Sequence, residues 1–121
     1  MTGYLHHHPV VLPNRGDVYM VRGSIQDPVD KKYSRRAVVV WVPCDINGRI
    51  KIITRTTNLR RRGIPSPIDL SMDLDEEGVW GYYRTVEARL WVPPEVRFLG
   101  TLDTKTVDVI SKKFRIRGSE S

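Results

Sequence analysis

The stretch AVVVWV at residues 37–42 decides the fold that this sequence predicts. An uninterrupted run of apolar and β-branched residues is typical of a central strand that is covered on both faces. The pair Asn47-Gly48 follows shortly afterwards, and it favours a tight hairpin turn because both residues tolerate positive φ. Residues 50–56 then read as the returning strand. The sequence therefore predicts an antiparallel hairpin at the centre of the protein.

Further strand patterns flank this hairpin. Residues 18–21 (VYMV) follow the turn pair Gly16-Asp17 and have the composition of a short strand. Apolar and mostly acidic residues alternate over 68–75, which predicts a strand with one solvated face. A longer strand region is expected over 79–92, and it ends at Pro93-Pro94 because proline has no N–H for pairing.

The pattern changes to that of a helix near the end of the chain. Val107, Ile110 and Phe114 recur at i, i+3 and i+7 and form a core-facing stripe, and Asp103 or Thr101 is placed to cap the helix. Five or more short strands with one terminal helix predict a mainly β fold. We expect a small, SH3-like antiparallel β-barrel with the C-terminal α-helix packed on or beside the sheet.

Length and composition indicate one domain. The chain has 121 residues, and we expect a flexible N-terminal arm at 1–14, one folded domain at 15–117 and a tail at 118–121. No run of about 18 apolar residues predicts a membrane span, and no signal peptide is evident in the first 20 residues. The single cysteine, Cys44, excludes an internal disulfide. A cytoplasmic location is therefore expected.

The charge distribution points to a polyanionic partner. Twenty Lys and Arg against fourteen Asp and Glu give a net charge of +6, with a pI of about 9.8. Six positive residues and no acidic residue lie in the segment from 49 to 62, namely Arg49, Lys51, Arg55, Arg60, Arg61 and Arg62. One such run is equally well interpreted as a solvated loop or face, but a second basic run near the C-terminus favours a polyanionic ligand such as nucleic acid, an anionic membrane or an acidic protein.

Common catalytic signatures are absent, and the residue pattern leaves a guanidinium and a hydroxyl as candidates. There is no Gly-rich phosphate loop, GxSxG or HExxH motif, so no metal or other cofactor is predicted. Pairing through a turn near Asn47 brings Arg36 close to the level of Thr56 or Thr57. A guanidinium beside a hydroxyl can bind a phosphodiester, because the guanidinium donates two parallel hydrogen bonds to phosphate oxygens and the hydroxyl donates another. The alternative is that Arg36 pairs with a local acid and Thr56 is an ordinary strand residue.

Several short motifs follow one another in order over about residues 15–114. They are RGDVY at 15–19, RAVVV at 36–40, TRTT at 54–57, GV at 78–79 with RTV at 84–86, and LGTL at 99–102. In sequence and order they resemble the MazF/PemK family of toxins from toxin–antitoxin systems. This resemblance implies an SH3-like barrel that dimerises and acts as a metal-independent, sequence-selective endoribonuclease on single-stranded RNA. It also implies inhibition by an acidic antitoxin protein.

The resemblance also assigns residues. It places the catalytic arginine at Arg36 and the catalytic hydroxyl at Thr56. The implied reaction is attack of a ribose 2′-OH on the adjacent phosphorus, which leaves a 2′,3′-cyclic phosphate and requires RNA. The residues expected to bind RNA are Arg35, Arg49, Lys51, Arg55, Thr57, Arg60, Arg61, Arg62, Tyr82 and Arg84.

Two other functions stay open at this point. The family's D-x-D-P and Asp-Gln elements are replaced here by residues 21–24 and by Tyr82-Tyr83. A barrel with these differences also fits a non-catalytic module that inhibits a protein target, or a plain nucleic-acid-binding domain.

Overall fold

The computed structural model describes residues 10–26, 34–56, 64–66 and 78–115. Six strands and one helix account for most of them. They are β1 (Asp17–Val21), β2 (Arg35–Trp41), β3 (Arg49–Thr56), β4 (Ile64–Ser66), β5 (Gly78–Glu87), β6 (Val96–Thr101) and α1 (Thr104–Lys113). Single turns of 3-10 helix lie at Gly23–Ile25 and Ala88–Leu90. The predicted strand at 68–75 lies outside the described residues.

The strands form one antiparallel sheet in the order β4-β5-β3-β2-β1-β6. The mainly β fold with a C-terminal helix is thus confirmed, with β2 near the centre as its apolar run predicts. The described sheet is open, with β4 and β6 at its edges, so it matches a closed barrel only loosely. It curls nonetheless, because Val86 of β5 and Val96 of β6 belong to one apolar cluster although three strands lie between them.

Strand β2 is buried on both faces, and its two faces belong to different clusters. Val38 and Val40 pack with Val107 and Ile110 of α1. Ala37 and Val39, on the other face, belong to a cluster that includes β3, β5 and Trp91. All four β2 residues are fully buried, and burying a valine side chain is worth about 1.5–3 kcal/mol. The stripe expected on the helix is therefore confirmed, and Phe114 packs against the same cluster.

The connection from β2 to β3 differs from the expected tight Asn-Gly turn. It spans residues 42–48, and neither Asn47 nor Gly48 has positive φ. The Asp45 carboxylate accepts the Asn47 N–H at 2.9 Å, and the Gly48 N–H donates to the Asp45 carbonyl at 3.3 Å. A Cβ on Gly48 would lie 3.1 Å from Pro43 Cγ, so the glycine serves close packing rather than a left-handed backbone.

Strand β5 ends at Glu87, earlier than the predicted strand region 79–92. The Ala88 N–H donates to the Gly48 carbonyl at 3.0 Å, and the chain then turns through Ala88–Leu90. This turn brings Trp91 into the core, where it is 2% exposed. Burial of the Trp91 ring outweighs continued strand pairing here.

Arg15, the first residue of the RGDVY motif, links the C-terminal helix to the sheet. Arg15 Nη2 donates to Asp108 Oδ1 at 2.8 Å and to Ser111 Oγ at 3.1 Å, and Arg15 Nε donates to the Val40 carbonyl at 3.2 Å. Gly16 has φ +97°, a conformation that favours glycine. Arg15 therefore joins β2 to α1.

Within the described residues, no helix is long and apolar enough to cross a membrane.

Candidate functional site

A cavity of about 110 Å³ lies where β2 begins and β3 ends. The described residues that line it are Ser34, Arg35, Arg36, Arg55 and Thr56. Three guanidinium groups and two hydroxyls thus face one small space, and none of these lining residues is acidic. Such a set of donors suits an anion with several oxygens, such as a phosphate.

The strand register explains how these residues meet. Ala37 and Thr54 form the last pair of the β2–β3 ladder, so the cavity residues lie just beyond it, at the open end of the hairpin. The sequence predicts Arg36 close to the level of Thr56 or Thr57, and a one-residue register shift between Val39 and Trp41 moves the ladder so that its continuation brings Arg36 to within one residue of Thr56. Side chains alternate between faces. Even so, Arg35 and Arg36 both line the cavity, and so do Arg55 and Thr56, because the cavity lies at the open end of the hairpin.

Arg55 is a buried cation at this site. It is 5% exposed, and its guanidinium packs against Gly78 at the start of β5. A Cβ on Gly78 would lie 2.6 Å from both Arg55 Nε and Nη2. Arginine keeps its proton in proteins, so a positive charge persists beneath the cavity.

A β-bulge lies beside the cavity. Thr54 pairs with Tyr82 and Arg55 pairs with Trp80, so Gly81 is an extra residue in β5. Bulges change the direction of neighbouring side chains and are frequent next to functional sites. Sequence reasoning missed this feature, although an isolated glycine within a strand pattern is the signal that marks it.

Tyr82 and Arg84 lie along β5 on the face of Thr54 and Thr56. Tyr82 is opposite Thr54, whose hydroxyl donates to the Tyr82 carbonyl at 3.4 Å. The Arg84 guanidinium carbon is 5.1 Å from the centre of the Tyr82 ring, and Arg84 Nη1 donates to the Tyr83 carbonyl at 3.0 Å. The structure therefore places this cation–π pair next to the cavity but not in its lining.

Arg49 and Lys51 lie towards the opposite end of β3. They are seven and five residues from Thr56, or about 23 and 17 Å along a strand. Arg49 Nε donates to Thr85 Oγ1 at 2.9 Å, and Lys51 Nζ is 4.8 Å from the centre of the Trp41 ring. These two expected RNA-binding residues do not line the cavity.

The remaining expected RNA-binding residues, Thr57, Arg60, Arg61 and Arg62, lie outside the described residues. Within the described ranges, no three His, Cys, Asp or Glu side chains come together as a metal site.

No protein-family model matches this sequence, and no curated protein or solved structure is significantly similar to it. The resemblance to the MazF/PemK family thus stands on the short motifs and their order. A fold by itself does not assign a function, so the function has to be argued from the cavity and its side chains.

Proposed function

We propose that this protein is a toxin-like endoribonuclease that cleaves single-stranded RNA without a metal ion. The observation that carries the proposal is the cavity at the end of the β2–β3 hairpin, where three arginines and the Thr56 hydroxyl converge. Its volume of about 110 Å³ is several times the roughly 10–15 Å³ that one water needs. A phosphoryl group with its oxygens therefore has room there.

The chemistry follows from the donor set. The ribose 2′-OH attacks the adjacent phosphorus, a 2′-O–P bond forms, and the bond to the 5′ oxygen breaks. The hydroxyl proton passes to solvent, and the leaving oxygen takes a proton from water. Arg36 stabilises the negative charge that develops on the phosphorane oxygens, and Thr56 donates a hydrogen bond to one of them. The products are a 2′,3′-cyclic phosphate and a 5′-hydroxyl.

The neighbouring side chains fit supporting roles in the same proposal. Buried Arg55 raises the positive potential around the phosphate, and Arg35, which lines the same cavity, binds it as well. Tyr82 offers a ring on which an unpaired base can stack, and Arg84 lies over that ring. The requirement for a 2′-OH makes RNA, rather than DNA, the substrate.

The remaining parts of the proposal come from the motif resemblance. They are a homodimeric assembly, inhibition of growth, a cytoplasmic location and an acidic antitoxin that neutralises the enzyme. The net charge of +6 supports an acidic partner as well as RNA.

The deciding experiment is incubation of the purified protein with a long single-stranded RNA in EDTA, followed by mapping of the cut ends. We expect discrete cuts that carry 2′,3′-cyclic phosphates. Arg36→Ala and Thr56→Val should lose them, whereas Lys112→Ala, which removes one positive charge from α1, should cut like the wild type. Intact RNA from folded wild-type protein, or equal cutting by Arg36→Ala, would overturn the proposal.

A further inference from the structure

A second cationic surface lies on β3 and its neighbours, outside the cavity. It consists of Trp41, Arg49, Lys51 and Tyr83, which we call the basic-aromatic strip. Lys51 pairs with Trp41 on β2, and Tyr83 on β5 is opposite Ile53. Because strand side chains alternate, Arg49, Lys51 and Tyr83 leave the sheet on the same face.

The aromatic rings of the strip lie close to its positively charged side chains. Lys51 Nζ stands 4.8 Å from the centre of the Trp41 ring, so a cation–π contact holds the ammonium in place. Tyr83 is 41% exposed. Arg49 Nε donates to Thr85 Oγ1 at 2.9 Å, and Thr85 is two residues from Tyr83 on the same face of β5. Burial raises the pKa of Tyr83, and the charge of Arg49 opposes part of this shift. An accessible ring thus lies beside fixed positive charges.

The strip begins near the cavity and leads away from it. Tyr83 is level with Ile53, two residues along β3 from Arg55 and about 7 Å away along the strand. Measured along the strand from Arg55, Lys51 is about 13 Å away and Arg49 about 20 Å away. The ring therefore comes first along this path, and the two cations follow.

We propose that the basic-aromatic strip binds the segment of single-stranded RNA that flanks the phosphodiester in the cavity. A base stacks on Tyr83, and phosphates further along the strand contact Lys51 and Arg49. Trp41 acts as a positioning residue, because it fixes the Lys51 ammonium. The inference rests on the proposed function, since the cavity fixes the phosphate from which this path is counted.

Single-stranded RNA suits the strip better than an acidic peptide does. Cations alone would bind carboxylates, whereas an accessible ring followed by cations offers contacts for both the bases and the phosphates of a single strand. Every base has a π-face, so such a surface binds flanking nucleotides with little sequence preference. Specificity would then lie at the cavity, and the strip would determine the length of RNA that binds well.

The test uses 2′-O-methyl RNA, which binds but has no free 2′-OH for the cleavage step. Affinities of a dinucleotide and an octanucleotide are measured by competition in fluorescence anisotropy. The variants are Tyr83→Leu and Lys51→Gln. Matched controls are Phe98→Leu, an exposed aromatic on β6, and Lys112→Gln on α1.

We expect Tyr83→Leu to weaken octanucleotide binding by about 5-fold or more, with little change for the dinucleotide. Lys51→Gln should reduce the slope of log affinity against log salt by about 0.7, the value for one phosphate contact with a single strand. The two controls should bind both oligonucleotides like the wild type.

Equal octanucleotide affinity for Tyr83→Leu and the wild type, in protein that still cleaves RNA, would overturn the inference and leave the proposed function standing. Failure of the proposed function appears separately, as intact RNA in the cleavage assay. If an acidic peptide displaces the octanucleotide, Lys51→Gln weakens binding of the peptide and Tyr83→Leu affects neither ligand, the strip would belong to a protein partner instead, which also overturns the inference.

Discussion

The guanidinium of Arg55 packs on the α-carbon of Gly78, at a distance that leaves no room for a side chain there. This contact joins the end of β3 to the start of β5 and keeps the cation 5% exposed beneath the cavity. The position of a charged group at the candidate site thus depends on a residue that has no side chain.

Gly78→Ala tests this dependence. The added methyl group must displace the guanidinium of Arg55, which is the far end of a flexible side chain and can move at little cost in stability. We expect a urea midpoint close to that of the wild type together with a clear loss of RNA cleavage. A second variant, Arg55→Lys, keeps the positive charge but removes the planar guanidinium group. Wild-type stability and cleavage in Gly78→Ala would show that the contact is unimportant.

Arg36→Lys separates charge from geometry at the cavity. Lysine keeps the positive charge but cannot donate two parallel hydrogen bonds to a phosphate. We expect cleavage to fall by roughly 100-fold, the scale on which one lost transition-state donor acts, with RNA affinity much less affected. Single-turnover rates at saturating protein measure this. Full activity in Arg36→Lys would mean that charge alone suffices.

The cap of α1 predicts a pH dependence of stability. The Thr106 hydroxyl and then the Thr106 N–H donate to Asp103 and lower its pKa below the ordinary 3.8. The carboxylate therefore stabilises the fold above pH 3.8, and this contribution is lost as pH falls towards the lowered folded value.

Thermal midpoints of the wild type and Asp103→Asn, measured from pH 7 to pH 2.5, test this. Asparagine is also a good N-cap but has no charge to titrate. The gap between the two proteins should narrow as the solution is acidified. A gap that stays constant across this range would assign the effect to something other than ionisation of Asp103.

The Arg15 contacts predict an asymmetry between two substitutions. Arg15→Met removes the bonds to Val40, Ser111 and Asp108 and should cost about 1–3 kcal/mol. Asp108→Asn removes only the charge of a carboxylate that is 63% exposed, and exposed pairs are worth about 0–1 kcal/mol. Chemical denaturation of both variants provides the comparison. Equal losses would contradict the conclusion that Arg15 joins β2 to α1 through more than its ion pair with Asp108.

Much of the fold was predictable because it follows from local patterns. The β-branched run at 37–40 predicts a strand buried on both faces, and the spacing of Val107 and Ile110 predicts the face of the helix that packs. The hairpin connection was not predictable from Asn47-Gly48. Its geometry depends on the Asp45 carboxylate and on packing of Gly48 against Pro43, which are contacts that propensity does not report.

The candidate site shows a similar division. The chemical types at Arg36 and Thr56 indicated a phosphodiester, and the structure places both side chains at one cavity. The level of Arg36 relative to β3 was predictable only to within a residue or two, because the register shift between Val39 and Trp41 has no signal in the sequence. The burial of Arg55 against Gly78 was also missed, since these residues are distant in sequence.

The two-sided burial of β2 also bears on how its alignment is chosen. In a strand with one solvent-exposed face, a shift of the pairing by one residue would expose valine side chains, so it is strongly disfavoured. Residues 37–40 are apolar on both sides, so such a shift would exchange one buried valine for another at little cost. Arg35 and Arg36 distinguish the native pairing from the shifted one, because a shift by one residue would move each guanidinium to the opposite face of the sheet. The same arginines that line the cavity therefore also help to select the native strand alignment during folding.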